Sequence, residues 1–426
     1  DSELPSDEEF PSEETETQTE SDEVSFANSD NTLTVVGWNY EQGMFTDYYK
    51  EFCAPSDLNV EFHSLDCIGY DTPEAITSYI NSGSDMDLFF VEPDWMWSVA
   101  GDNGLAMPLS ELGITEADYA DAYPYTVEIG KNTDGVLMAA APEICPGYYA
   151  FNCDLAFEYL GVATAKEMQE KVSDWDKFEA TAEELKQASG GKVTMCATLD
   201  GLWKAFSTNT DYRWFNNGEI QTDQAQAFLT MARRFADNGY VDPNINQWTD
   251  DWFDLSQSQD NLGFFYTTWM LHPSGSYAFN NGEWSIVKGP DSFFWGGTWL
   301  CVASACDTKG AAADFLRTFT TNPETMHDFM NAQSFVADDG FYVCNNQKVV
   351  QSMVGSNVLL DGQDPYPVLD EVALGIRWDA SKTTPYDLEI RNYLPYSYGI
   401  RFDEPDCEML DYFADIVNSL HPELAE

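Results

Sequence analysis

The chain has 426 residues, 43% of them hydrophobic, which supports a sizeable core but is too long for one compact domain, so two domains are expected. Its 74 acidic residues against 19 basic ones give a formal net charge of -55. That balance excludes nucleic acid and an anionic membrane surface as partners and argues against an anionic substrate.

The first 30 residues are mostly Ser, Thr, Glu and Asp, with 11 acidic residues and no basic one in the first 23. Such a composition buries too little apolar surface to offset its ordering entropy, so residues 1–30 read as a disordered acidic tether. The chain starts without Met or a signal peptide, the mark of a processed or truncated N-terminus. A tether suits a body held off a cell surface by a lipid-bearing Cys just upstream. No run of about 18 apolar residues occurs, so no segment reads as a membrane span.

From Leu33 onward, short apolar runs alternate with helical stretches, an α/β pattern. Strands are expected over 33–36, 60–63 and 87–91, with a helix starting at 45–51. Another helix opens at Thr72 as N-cap with Pro73 in its first position. Further strands fall at 136–142, 261–266 and 284–287, another is expected at the aromatic and Gly-pair run of 293–302, and helices fall at 174–188, 310–320 and 408–420. Gly190 and Gly191 close the helix that begins at Asp174.

Two strand ends carry the chemistry. The first strand runs into Trp38, Asn39 and Glu41, and the third into Glu92, Asp94 and Trp95. Ligands of open α/β sheets sit beyond the carboxyl ends of the strands. A flat ring beside a carboxylate suits a sugar, whose C–H faces stack and whose hydroxyls hydrogen-bond. The chain is 15% aromatic, with 13 Trp, which fits a carbohydrate-handling surface. Nine Cys, none in a C-x-x-C pair, and four His, none in a ligand pattern, give no foothold for zinc or a thioredoxin-like motif. Cys53 with Cys67, or Cys301 with Cys306, would be candidate disulfides in an oxidising compartment, a choice that spacing leaves open.

Four segments in order resemble the extracellular solute-binding proteins of ABC transporters, in the maltose-binding-protein-like cluster called family 1. They are the stretch from Asp85 to Trp95, the turn from Gly104 through Pro108 to Leu109, and the pair formed by Tyr149 to Leu155 and Asp174 to Phe178. The fourth runs from Phe264 to Trp269, through the Gly296-Gly297 turn, to the helix from Gly310 to Leu316. The resemblance implies a two-lobed periplasmic-binding-protein-like fold of the class II type, with a cleft between lobes joined by a multi-crossing hinge. Crossings are then expected near 143–147, 295–298 and 340–342. The N-terminal lobe would comprise 31–143 plus 298–341 and the C-terminal lobe 144–297 plus 342–426.

By the same resemblance Asp94 matches a carboxylate that binds sugar hydroxyls, and Trp269 a tryptophan that stacks on a sugar ring. Cys145 and Pro146 stand where the maltose binder has a carboxylate, and Glu143 is expected to take that role. Tyr148, Trp214, Asp251, Trp252, Trp295 and Arg377 complete the expected ligand-facing set, with Arg213 and Trp378 weighed beside them. The implied function is that of a non-enzymatic, monomeric component of an importer, without cofactor or metal. It would carry an oligosaccharide to membrane permease subunits from the extracellular face of the cell membrane, anchored by lipid in a Gram-positive-like manner, or from the periplasm. A polyamine or other cationic solute is the alternative ligand, with Glu41, Glu92, Asp94 and Glu143 as counter-charges. A glycoside hydrolase built on a carboxylate pair such as Glu92 and Asp94, or Asp250 and Asp251, is the less favoured reading.

Overall fold

The computed structural model describes residues 30–67, 72–101, 104–208, 214–216, 218–271, 284–332, 341–356, 362–381, 384, 386–395 and 405–425. The expected tether, apart from Asp30, lies outside these residues, as do Arg213 and Gly340.

Eleven strands are described: β1 Thr32–Gly37, β2 Asn59–Ser64, β3 Leu88–Val91, β4 Ala106–Met107, β5 Ala139–Ala140, β6 Gly147–Asn152, β7 Phe215–Asn216, β8 Glu219–Ile220, β9 Gly263–Thr267, β10 Trp284–Val287 and β11 Trp299–Ala303. The first lobe is built on a mixed sheet ordered β2-β1-β3-β11-β4, with β5 also paired to β11. β1 runs parallel to both β2 and β3, whereas β11 is antiparallel to β3. The residues of β3 are all fully buried, as expected of a strand covered on both faces. Helices Gly43–Phe52, Lys309–Thr320 and Pro323–Asn331 cover this sheet through Phe45, whose ring centroid lies 5.1 Å from both Phe319 and Phe329.

The second lobe is built on the antiparallel sheet β10-β6-β9. The pleat of β6 sends alternate side chains into two cores: Tyr148 and Ala150 join the cluster that also holds the first sheet, and Tyr149 and Phe151 join the other. Tyr149 packs there against Phe178 of helix Trp175–Ser189, at 5.2 Å. That helix starts as expected, with Asp174 accepting from the Lys177 N–H, and ends at Gly190 in the left-handed region. The expected strand at 136–142 is reduced to the two residues of β5, because only that short piece pairs with β11.

Three segments lie side by side between the sheets. Residues 142–147 are in the middle: Ile144 N–H donates to Val343 O (2.8 Å) on one flank, and Trp295 N–H donates to Cys145 O (3.1 Å) on the other. Gly147 N–H also donates to Phe293 O (2.7 Å). Only glycine fits at 147, since a Cβ there would lie 2.1 Å from the Phe293 ring. Helix Gln347–Ser352 packs against Pro323–Asn331, and its Gln347 bonds Asp121 and Ala122 of the first lobe. Helix Tyr366–Gly375 then packs on β6. All nine cysteines are free thiols, so neither candidate disulfide is formed.

Candidate functional site

Because β1 and β3 are parallel neighbours, their carboxyl ends emerge side by side. This brings Trp38 against Trp95 edge to face, centroids 5.5 Å apart. Asn39 caps the short turn that follows β1 and donates to Glu41 Oε2 (3.0 Å), so these two side chains are engaged with each other. The Trp95 indole donates to Glu92 Oε2 (3.1 Å).

Asp94 reaches across to the second lobe. Its Oδ1 accepts from Arg391 Nη2 (3.2 Å), its Oδ2 accepts from Asn392 Nδ2 (2.7 Å), and Lys204 Nζ lies 3.7 Å away. Arg391 ends helix Asp387–Arg391, and Lys204 lies in helix Leu199–Ser207. The three donors are locked to one another and to that lobe's core. Lys204 donates to Asn392 Oδ1 (2.9 Å), Arg391 Nη1 donates to Thr208 Oγ1 (3.0 Å), and the Trp203 indole donates to the Arg391 carbonyl (3.0 Å). The Arg391 side chain is only 2% exposed, and its guanidinium sits 5.7 Å from the Phe294 ring centroid.

Burial and the charge of Asp94 push the Glu92 carboxyl up to about 7, against the Trp95 indole and Lys204. Burial acts on Asp94 the same way, but Lys204, Arg391 and Asn392 overcome it and hold that carboxyl below its ordinary value. Glu143, in the middle hinge segment, is pushed up to about 7 by burial despite a hydrogen bond from Thr298. Lys204 is lowered by burial, though Asp94 and Glu92 oppose this.

A run of tryptophans leads outward from this polar knot. Lys204 Nζ lies 5.8 Å from the Trp295 ring centroid. Trp295 meets Trp269 edge to face at 5.9 Å, and the Trp269 indole donates to the Trp295 carbonyl (3.3 Å). Trp269 is stacked face to face with Trp248, centroids 5.6 Å apart and planes 12° from parallel. Trp248 has φ +68°, a conformation that costs a bulky side chain about 1–3 kcal/mol. A small crevice with an enclosed volume of about 20 Å³, room for little more than a water molecule, is lined by Trp97, Glu128 and Lys131 from the first lobe and by Trp378 and Thr384 from the second.

The structure thus gathers Trp38, Glu92, Asp94, Trp95, Trp269 and Trp295 at the inter-lobe junction, with Asn39 and Glu41 beside Trp38 and Glu143 in the hinge. Other candidates are elsewhere. Tyr148 is fully buried with its hydroxyl donating to Thr267 O (2.9 Å), because β6 is covered on both faces. Trp214 is buried against Trp203 and Phe413, and Trp252 against Tyr266 and Phe253, so both are core residues. Asp251 is exposed in the first turn of helix Asp250–Leu255. Arg377 is 63% exposed and 3.9 Å from Asp291, a surface ion pair outside the junction.

Sequence reasoning missed Lys204, Arg391, Asn392 and Trp248. The available signal was scarcity: with 19 basic residues in the chain, Lys204 between Trp203 and Ala205, and Arg391 beside Ile390, are charges set in apolar surroundings. A separate carboxylate cluster, Asp85, Asp87 and Asp307, brings ligand-type oxygens within 4.8 Å of one another before β3 begins, at the opposite end of that strand from the knot. There Asp87 accepts from the Thr34 and Thr308 N–H groups and fastens β1 to the start of helix Lys309–Thr320.

The family model described as bacterial extracellular solute-binding protein matches residues 59–337. Among solved structures, an extracellular solute-binding protein of family 1 superposes with TM-score 0.77 at 16% identity, covering 93% of this chain and 100% of that one. The sugar-binding protein MalE from Xanthomonas citri gives 0.70 at 13% identity, over 92% and 98%. An ABC substrate-binding protein from Listeria monocytogenes, solved in complex with cycloalternan, gives 0.66 at 16% identity, over 92% and 100%. Among curated proteins no significant match was found. The structural likenesses establish the two-lobed fold. The family match, covering well over half of the sequence, establishes that the chain belongs to the bacterial extracellular solute-binding proteins.

Proposed function

We propose that this protein is the substrate-binding component of an ABC importer, which captures an oligosaccharide between its lobes and delivers it to membrane permease subunits. The observation that carries this reading is the junction itself. One lobe contributes carboxylates beside aromatic rings, the other contributes convergent N–H donors, and tryptophans continue outward along the hinge. Sugar hydroxyls both donate and accept, so they can exchange into the polar bridge that Asp94 makes with Arg391 and Asn392, while the sugar's C–H faces lie on the tryptophans beside it. Sugar binding would then favour closure by bridging the walls. The proposed lobes are those expected above, except that the contacts of helix Gln347–Ser352 favour placing it in the first lobe. Lipid anchoring through the acidic tether belongs to the same proposal.

Two observations bear on the alternatives. Asp94, one of the four carboxylates offered to a cationic solute, already faces Lys204 and Arg391, which counts against a polyamine. Glu92 and Asp94 have carboxyls shifted in opposite directions, the pattern of a split acid and base. Both oxygens of Asp94 are engaged by the second lobe, however, which favours binding over hydrolysis.

The test is a thermal-shift and calorimetric screen against neutral oligosaccharides, monosaccharides and polyamines, with product analysis of each mixture. A melting-temperature rise and a binding isotherm with one oligosaccharide series, without cleavage, is the expected result. Shifts confined to polyamines would transfer the site to cations, and cleaved sugar would transfer it to hydrolysis.

A further inference from the structure

We propose that Trp248 is the outermost sugar-stacking platform of the inter-lobe site, and that the ligand is an oligosaccharide long enough to run from the Asp94 knot past Trp269 to this ring. The inference rests on the saccharide reading and adds to it a ligand length and an outer subsite.

Three observations meet at this residue. First, Trp248 is 53% exposed, an unusual position for the largest apolar side chain. Second, it is held at φ +68°, one of only two non-glycine residues with positive φ among those described. Asn or Gly would fit that backbone with less strain, so local folding does not call for tryptophan there. Backbone strain of this kind collects at ligand-contacting sites. Third, the ring is not an isolated surface aromatic. It lies parallel to Trp269 and is braced edge-on by the buried Trp252, centroids 5.0 Å apart. The brace fixes the plane of an exposed ring, which gives a flat platform at little entropic cost on binding.

The geometry also says what such a ring would take. Trp295, Trp269 and Trp248 follow one another at centroid spacings of 5.9 and 5.6 Å, and exposure rises from 8% at Trp295 to 53% at Trp248. A ligand with repeated apolar faces and hydroxylated edges matches a continuous aromatic track that begins at a polar knot. A compact solute held at the knot would leave Trp248 without a role.

The experiment is calorimetric titration of the full chain and of Trp248→Ala with neutral gluco-, galacto- and xylo-oligosaccharides of roughly two to six units, together with melting curves. For the series that binds, the affinity of the unsubstituted protein is expected to rise with length. Trp248→Ala is expected to weaken the longest member by roughly tenfold while leaving the disaccharide within about twofold, since only longer ligands reach the ring. Trp248→Tyr should keep most of the long-ligand affinity. Trp248→Asn, which suits the backbone, should match the loss seen in Trp248→Ala without lowering the melting temperature. An equal loss at every length would make Trp248 a support for Trp269 and overturn the proposal, and so would no loss at any length. If the unsubstituted protein binds none of these sugars, both this inference and the saccharide reading fall; binding without a length-selective loss overturns this inference alone.

Discussion

The Asp94 knot and the tryptophan run both touch Trp295, yet they are built on opposite terms. In the knot, Asp94, Lys204, Arg391 and Asn392 use most of their hydrogen-bonding capacity on one another, and Arg391 is only 2% exposed. In the run, rings touch one another while their exposure increases outward, so apolar surface stays open to a visitor. A self-satisfied charged cluster fixes how two walls meet; an unsatisfied aromatic track offers area to a ligand. The difference teaches that stability and affinity should separate between the two regions, although they meet at one residue.

The sharpest way to break that comparison is to remove one partner of the knot. Arg391→Ala leaves Asp94 with Lys204 and Asn392 but empties a buried site, and Asp94→Ala leaves a buried guanidinium without its counter-charge. Each is expected to cost about 3–5 kcal/mol in chemical denaturation. The double variant should cost clearly less than the sum, because the second removal relieves what the first left unpaired. Strict additivity would mean that the pair is not coupled and that the knot does not hold the walls.

Trp269→Ala should show the reverse profile. Its ring is partly buried and packs on Trp248 and Trp295, so the melting temperature should fall, but by less than in the knot variants. Sugar affinity, measured by calorimetry, should fall more than about tenfold, the loss expected of a central stacking ring. An unchanged affinity would remove Trp269 from the site.

A smaller effect reads the carboxyl beside the knot. Glu92 is raised to about 7 in the folded chain, facing Asp94 on its own loop, Trp95, and Lys204 from the second lobe. The folded state therefore holds this proton more tightly than the unfolded state does. The resulting stabilisation is complete below the ordinary glutamate value and is lost as pH rises through about 7. Glu143, also raised to about 7, acts with the same sign. Melting temperature should fall between about pH 4.5 and about pH 7 and level off above that. Glu92→Gln should shrink that fall, and adding Glu143→Gln should shrink it further; identical profiles would show that neither carboxyl titrates in this window.

These contrasts also mark what the sequence could show. The apolar runs at 33–36 and 87–91 announced two strands, and parallel pairing placed the residues after them together, so Trp38, Trp95 and Asp94 were legible as neighbours. Tyr148 was not, because one residue decides whether a side chain in β6 enters one core or the other, and neither face of that strand is open. Trp214 and Trp252 are indistinguishable from ligand-facing residues in the sequence, because tryptophan serves both cores and clefts and only packing separates the two uses. Arg391 lies 297 positions from the carboxylate it meets, a pairing made by the return of the chain across the junction and not by any local pattern.

The smallest expected effect separates two arginines that look alike in sequence. Arg377 precedes Trp378 and Arg391 follows Ile390, so each is a rare cation beside a large apolar residue. Arg377 is 63% exposed and its Asp291 partner is 3.9 Å away, a spacing at which solvent screens most of the attraction. Arg377→Ala should therefore alter stability by no more than about 0.5 kcal/mol and leave sugar affinity unchanged. Measured beside Arg391→Ala under the same conditions, it tests whether burial, and not the mere presence of a cation in the second lobe, gives the knot its effect. A loss of affinity in Arg377→Ala would extend the binding surface beyond the knot and the tryptophan run, to the Arg377–Asp291 pair.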